Sequence, residues 1–356
     1  MPRGASGPPG SQRRPTRVAV VFNADTHLKA HLSDIEKIGE DESEESARAL
    51  AEVLSQRHQC QVIAVGESVL DAIDELQRFK PDFVFNLCES VLGRTAWEAN
   101  FAHLLESLGY PTSGCDPVSV SLCHDKVLLK RLFAAASLPA PAGFGFTGAE
   151  SRSHIRLAIA ELLEKSGTHR VMVKPSREDG GLGVDAASVC HSVDQTVTRS
   201  VWVTEVYRQP ALIEEFVEGR EFNQALFWGR GGVEALPPGE ILFDDGLEAD
   251  ERIVGWKAKW DQGSREDLGT RSVTAESLDQ KTLSEIRSIS LRAAALLGLS
   301  GYCRFDLRQR ASGQIVILDV NPNPDIARES GFRKALDAAG IGFLDFLDEL
   351  IGAKMA

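Results

Sequence analysis

The chain has no C-x-x-C pair and no Cys/His spacing of a zinc site; Cys60, Cys88, Cys115, Cys123, Cys190 and Cys303 stand apart from one another. Scattered in apolar settings, they are expected to be reduced thiols of a cytoplasmic protein. Cys88, beside Glu89 at a strand end, is the one thiol considered near a site, and a packing role accounts for it as well. Basic residues are scarce: 39 Lys and Arg face 52 Asp and Glu, a net charge of −13. That balance excludes the basic footprint a nucleic-acid partner requires. No run approaches the roughly 20 apolar residues of a membrane span. The first 16 residues contain no apolar segment, and after Arg13-Arg14 only Val18–Phe22 is apolar. A disordered tail is expected there, and no signal peptide. No Gly-x-Gly-x-x-Gly opens a helix after Val18–Phe22, and no Gly-Lys-Ser/Thr occurs in a glycine loop, so dinucleotide and P-loop fingerprints are both missing.

What remains is a soluble composition, 43% hydrophobic and 26% charged over 356 residues, long enough for two or three lobes. Folded structure is expected to begin at Arg17–Phe22, a buried parallel-type strand. An acidic helical pattern follows (34–54), then a strand (61–65), a helix (69–79), a strand (82–87) and a helix from about Trp97 to Leu108. This alternation predicts a parallel, Rossmann-like sheet over residues 17–114. Beyond it, Asp125-Lys126 opens a helix. A strand from Arg170 to Lys174 runs into Asp179-Gly180-Gly181-Leu182-Gly183, read as the tip of a β-hairpin that resumes over 184–190. Ala211–Val217 reads as a further strand. The last segment mixes strands (221–227, 301–307, 315–320) with helices near 278–297 and 343–350.

The most informative run is Ile317-Leu318-Asp319-Val320-Asn321-Pro322-Asn323-Pro324, which follows Arg304-Phe305-Asp306 by thirteen residues. Residues two apart in a strand share a face, so Asp319 and Asn321 can reach one ion together with Asp306 from the neighbouring strand. Hard oxygen ligands of this kind suit Mg²⁺ bridging to phosphates. The plain alternative is two acids ending strands before an Asn-Pro turn. Lys174 before the glycine loop offers a point charge, and Gly180, Gly181 and Gly183 would let backbone N–H groups approach phosphate oxygens. Hairpin tips also hold glycines. Lys126 at a helix N-terminus sits against the macrodipole, a mild misfit that points to a ligand. Glu214 and Glu215 end an apolar strand, Phe216 and Val217 offer a slot for a purine edge, and Glu221 could receive a ribose. A salt-bridged structural role fits either glutamate of the pair as well. Trp256-Lys257-Ala258-Lys259-Trp260 lies in what reads as a long loop, a lid or a solvated edge.

Taken in order, Asp125-Lys126, Val173–Glu178 with the glycine loop, Ile213–Phe222, Arg304-Phe305-Asp306 and Asp319-Val320-Asn321 resemble the D-alanine–D-alanine ligase family of ATP-grasp enzymes. Glu106–Gly114 looks like that family's passage between domains, and the similarity spans roughly residues 80–350. The resemblance implies an α/β ATP-grasp fold, with a Rossmann-like N-terminal domain followed by two α+β lobes enclosing ATP (115–213 and 214–356). It implies ADP-forming, Mg²⁺-dependent joining of a carboxylate to an amine through an acylphosphate, with Mn²⁺ as an alternative ion. Lys126 and Lys174 would hold the α and β phosphates, and Lys259 would reach the γ-phosphate. Glu214, Glu215, Phe216 and Val217 would line the adenine site with Leu318, and Glu221 would bind ribose. Asp306, Asp319 and Asn321 would hold two metal ions, and Arg304 would stabilise the tetrahedral intermediate. Small acids or amino acids are the implied partners, and a homodimer the implied assembly.

Departures from the family pattern cluster on the acceptor side. Asp319 replaces Glu, Gly180 replaces the first loop serine, and Trp260 replaces the tyrosine after the lid lysine. Asn86-Leu87-Cys88-Glu89 replaces a His-Gly strand end, Asp325 replaces a small residue, and Glu42, Glu44 and Glu45 are only loose substitutes for the family's acidic partner. Glu89, Trp260 and Ser330 are the substrate candidates, and a pair other than two D-alanines is expected. Rival readings are an ATP-grasp kinase, another ADP-forming ligase, or an ATP-binding protein without turnover.

Overall fold

The computed structural model describes residues 15–24 and 39–356, and side chains from residue 43 in the second stretch. The expected tail therefore lies outside the described residues except for Pro15 and Thr16, as does the side chain of Glu42.

The first layer is built from β1 (Arg17–Asn23), α1 (Gly39–Leu54), β2 (Gln59–Val65), α2 (Val69–Phe79), β3 (Phe83–Asn86) and α3 (Glu98–Ser107). Its three strands are parallel in the order β2-β1-β3, as a run of apolar residues buried on both faces predicts. Helix α2 shows why the sequence punctuates there: the Ser68 side chain accepts from the Asp71 amide, and Lys80 ends the helix in the left-handed region at φ 51°.

Next come α4 (Pro117–His124), α5 (Lys126–Ala135), β4 (Gly143–Phe146), α6 (Arg152–Ser166), β5 (Val171–Pro175), β6 (Val189–Cys190), α7 (Val193–Tyr207) and β7 (Ala211–Glu215). The four strands form an antiparallel sheet in the order β4-β7-β5-β6. The expected return strand over 184–190 shortens to Val189–Cys190. Three glycines at positive φ turn the chain after Asp179, and Asp185 and Ser188 close a capping box over the turn at 186–188.

The remaining elements are β8 (Glu221–Gly229), β9 (Gly232–Ala235), β10 (Gly239–Phe243), α8 (Trp256–Trp260), α9 (Arg265–Leu268), β11 (Thr270–Thr274), α10 (Gln280–Leu297), β12 (Tyr302–Gln309), β13 (Ile315–Asn321), α11 (Gly331–Ala338) and α12 (Phe343–Lys354). Their sheet runs β11-β10-β8-β12-β13, with β9 on β8. The segment expected as a long loop around Trp256–Trp260 is instead two short helices, the second capped by Ser264.

Two packing facts position the site. Cys115, Val120, Leu129 and Phe133 from the α4–α5 region share a core with Phe222, Phe305 and Ile317. Helices that the expected boundary at residue 115 assigns to the small lobe therefore pack on the sheet of the last lobe. A second core joins Phe83 and Phe85 of β3 to Tyr302, Phe332 and Phe346, with the Phe85 and Tyr302 ring centroids 6.2 Å apart. Each such buried ring contributes on the order of 1.5–3 kcal/mol. The N-terminal sheet is fixed against the last lobe, and Leu87 and Glu89, just past β3, line a cavity with residues 323–329.

Candidate active site

One cleft, with about 990 Å³ of empty space, lies between the two antiparallel sheets. The glycine loop and the start of α5 flank it because the Lys126 amide donates to the Ser176 carbonyl at 3.0 Å, while the Asp125 side chain caps α5 by accepting from the Leu128 amide. Lys126 Nζ, 4% exposed, lies 2.9 Å from Asp179 and 3.0 Å from Asp319. Burial opposes its charge, yet these two acids hold the ammonium protonated well above the ordinary lysine range. Lys126 and His124 pull the Asp179 carboxyl well below its usual value against the penalty of burial. This pairing answers the misfit of a lysine at a helix N-terminus. Lys174 and Lys130 both face Glu214, each at 3.0 Å, and burial notwithstanding they depress its carboxyl. Lys130 also donates to the Ile317 and Leu318 carbonyls at 3.1 and 2.9 Å, joining α5 to β13.

The two acids and the amide meet through an irregularity in β13. Asp306 stands opposite Asp319 and Arg304 opposite Asn321, but Leu307 pairs with Ile317, so Leu318 is an extra residue. A bulge of this kind re-aims side chains. Ile315 and Ile317 belong to the core, and past the bulge the core residue is Val320. Leu318, Asp319 and Asn321 consequently all line the cleft, together with Asp306. Asp306 accepts from Arg304 Nε and from Asn223 Nδ2, both at 2.8 Å. Against burial, Arg304 holds its carboxyl below the ordinary range. Asn321 Oδ1 is oriented by the Asn323 amide at 2.9 Å. This all-oxygen donor set fits a hard divalent cation. Among the described residues no group of three or more His, Cys, Asp or Glu could hold a metal, so an ion here would need the carboxamide and substrate oxygens as well.

At the other end of the cleft lie Phe216, Val217 and Glu221. Glu221 is engaged by Arg308 Nε at 2.9 Å, and the same guanidinium donates to the Val217 and Arg252 carbonyls at 2.7 and 2.6 Å. Glu215 is ion-paired with Arg310. Both members of the Glu214-Glu215 pair thus carry salt bridges while lining the cleft. The Phe216 ring lies beneath the Arg170 guanidinium, 4.7 Å from its centroid.

The glycine loop also meets α8. Trp260 Nε1 donates to the Gly180 carbonyl at 2.9 Å. Gly181, at φ +80°, leaves no room for a Cβ, which would lie 2.8 Å from the Gly255 carbonyl carbon. Gly183 is not among the residues lining the cleft, and a Cβ there would come within 2.6 Å of the Pro175 ring. Lys259 is exposed at the cleft mouth. Trp260 also borders a second cavity, together with Glu89, Asp325 and Glu329. Ser330 lines neither cavity; its Oγ caps α11 by accepting from the Arg333 amide.

Sequence reasoning missed His124, Asp179, Lys130, Asn223 and Arg308. His124 sits directly before Asp125-Lys126, and Asp179 directly before the first loop glycine, and that adjacency was the available signal. Lys130 lies one helical turn past Lys126, and Arg308 lies two residues past Asp306 on the same strand face.

Two antiparallel sheets holding lysines and acids over a single cleft define the ATP-grasp class. Residues 132–352 match the family described as D-ala D-ala ligase C-terminus. The chain belongs to that family of ADP-forming ligases. It is 27% identical over 285 residues to a D-alanine–D-alanine ligase of Marinomonas sp., covering 80% of each chain. It is 29% identical over 289 residues to the protein y4sG of Sinorhizobium fredii, covering 78% of each. The D-alanine–D-alanine ligase of Bacillus anthracis complexed with ATP superposes with a TM-score of 0.71 at 22% identity, over 96% of this chain and 97% of that one. No helix among the described residues is long and apolar enough to cross a membrane.

Proposed function

We propose that the chain is an ATP- and Mg²⁺-dependent carboxylate–amine ligase that forms an amide through an acylphosphate, using a substrate pair other than two D-alanines. The observation that carries this reading is the meeting of Lys126, Lys174, Lys259 and Arg304 with Asp306, Asp319 and Asn321 in one cleft. Lysines beside the glycine loop bind and align the triphosphate, and positioning with charge neutralisation is most of what phosphoryl transfer asks of a protein. Mg²⁺ bound by Asp306, Asp319 and Asn321 would add charge neutralisation on the phosphate oxygens. The γ-phosphoryl group passes to a carboxylate oxygen of the acid as its bond to the β-phosphate oxygen breaks and ADP leaves. The amine nitrogen then attacks the acyl carbon, the C–O bond to phosphate breaks, and the amine loses a proton. Arg304, oriented by Asp306, is the group that meets negative charge developing on the acyl oxygen.

The altered pair is supported by what borders the second cavity. Glu89, Trp260 and Asp325 sit there at positions where the family pattern has other residues, whereas the nucleotide half keeps its lysines and acids. All six cysteines are free, which suits a reducing compartment such as the cytoplasm.

The test is a matrix of acids and amines incubated with ATP and Mg²⁺, read by ADP and phosphate release and by product mass. An amide formed with stoichiometric ADP supports the proposal. AMP release, or ADP release with a phosphorylated product and no amide, overturns it.

A further inference from the structure

His124 is the last residue of α4 and is 7% exposed. Its Nε2 lies 2.5 Å from Glu98 of α3, and its Nδ1 faces Asp179 of the glycine loop at 3.2 Å. Asp179 in turn holds Lys126, which holds Asp319. Five ionisable side chains from α3, α4, the glycine loop, α5 and β13 therefore form one chain of alternating charge. A second tether runs beside it, where Thr95 Oγ1 donates to Glu178 at 3.2 Å. The mechanism above uses Lys126 and Asp319 and leaves Glu98, His124 and Asp179 unexplained.

Asp179 poses a physical problem for a nucleotide site. Its carboxylate lies 2.9 Å from the lysine expected to meet phosphate oxygens and lines the same cleft. An uncompensated anion there repels a triphosphate and occupies the lysine. We infer that His124 is a positioning residue for the nucleotide: as a cation clamped between Glu98 and Asp179, it neutralises the loop carboxylate and docks the glycine loop to the N-terminal domain, so that Lys126 can serve the phosphates. The groups facing His124 are Glu98 from α3, Asp179 from the loop and Lys126 from α5. Burial and Lys126 act against its charge, but the two acids prevail and raise its pKa to about 9. The inference rests on the ATP reading above.

The experiment is calorimetric titration of the full chain with a non-hydrolysable ATP analogue and Mg²⁺, for the wild type, H124Q, D179N and the double variant, with KM for ATP and kcat measured alongside. H124Q keeps hydrogen-bonding capacity and loses the charge. It is expected to bind the nucleotide about tenfold more weakly, with KM rising in proportion and kcat within about threefold of wild type. In the double variant the offending carboxylate is gone, and affinity returns to within about threefold of D179N. A merely structural histidine would give no such rescue. Wild-type affinity is also expected to fall as the pH rises through about 9, a fall absent in D179N; this arm stands even if H124Q does not fold. Unchanged binding by folded H124Q, or a double variant as weak as H124Q, overturns this inference alone. A wild-type chain that takes up no nucleotide overturns the functional reading and this inference with it.

Discussion

Trp260 donates its indole N–H to the carbonyl of Gly180 at 2.9 Å, so α8, which carries Lys259, is fastened to the loop expected to cover the phosphates. One net hydrogen bond is worth about 1 kcal/mol. Trp260→Phe keeps the ring and loses the donor, and should weaken nucleotide binding roughly fivefold. Amide exchange across 180–183 should quicken in the same variant. Exchange and affinity both unchanged would show that α8 is held by other contacts.

Asp306→Asn retains the shape of the cleft and removes one charge of the proposed ion site. Nucleotide binding should stay measurable, while ADP release falls by on the order of 10²–10³-fold, since a bound cation contributes several kcal/mol of charge stabilisation in transfer. Calorimetry and a coupled ADP assay on one preparation separate the two effects. Turnover within tenfold of wild type would remove Asp306 from the metal set.

Lys126→Met leaves Asp179 and Asp319 facing each other without their shared cation. Breaking a fully buried pair costs about 3–5 kcal/mol. The two acids are partly open to the cleft, so roughly 2 kcal/mol is expected in chemical denaturation at pH 7. The loss should shrink in the Lys126→Met, Asp179→Asn double variant, which no longer strands the loop carboxylate. Equal stability of Lys126→Met and wild type would contradict the pairing.

The folded chain also sets a pH window through His124. Its pKa is raised to about 9 from an ordinary 6.5, so the folded state binds the proton more tightly than the unfolded one. That stabilisation is fully present below about pH 6.5 and is lost as the pH climbs through 9. It amounts to on the order of 3 kcal/mol at most. Thermal midpoints measured from pH 6 to 10 should decline, and the decline should be shallower in His124→Gln. Parallel curves for the two proteins would assign the alkaline instability elsewhere.

The parallel N-terminal sheet was legible because buried parallel strands read as continuous apolar runs, and Val18–Phe22 is one. Asp306, Asp319 and Asn321 were legible because strand periodicity is two. That argument nevertheless assumed a regular ladder, and only the extra residue at Leu318 turns Asp319 out of the core. The double glutamate was less legible: nothing local announces that Glu214 will meet Lys130 and Lys174, which lie on α5 and β5, or that Glu215 will meet Arg310. Helices α8 and α9 were hidden because five- and four-residue helices show no periodicity, and their caps resemble loop residues. Ser330 was legible only as a serine after Pro324; its place at the N-cap of α11 shows once the helix is seen. His124 was passed over because a lone histidine signals nothing until its two acids, from distant segments, are placed beside it.

The added residue in β13 has a consequence for anyone who would transplant this strand. Its first half is a wall of the apolar interior, and its second half displays oxygen donors to an open space, with a single backbone irregularity as the junction. A graft that copies the side chains onto an uninterrupted ladder would drive an acid and an amide inward among leucines and phenylalanines. What has to travel with the donors is a count of residues, and a chimera one residue short would inherit the letters of the motif without its geometry.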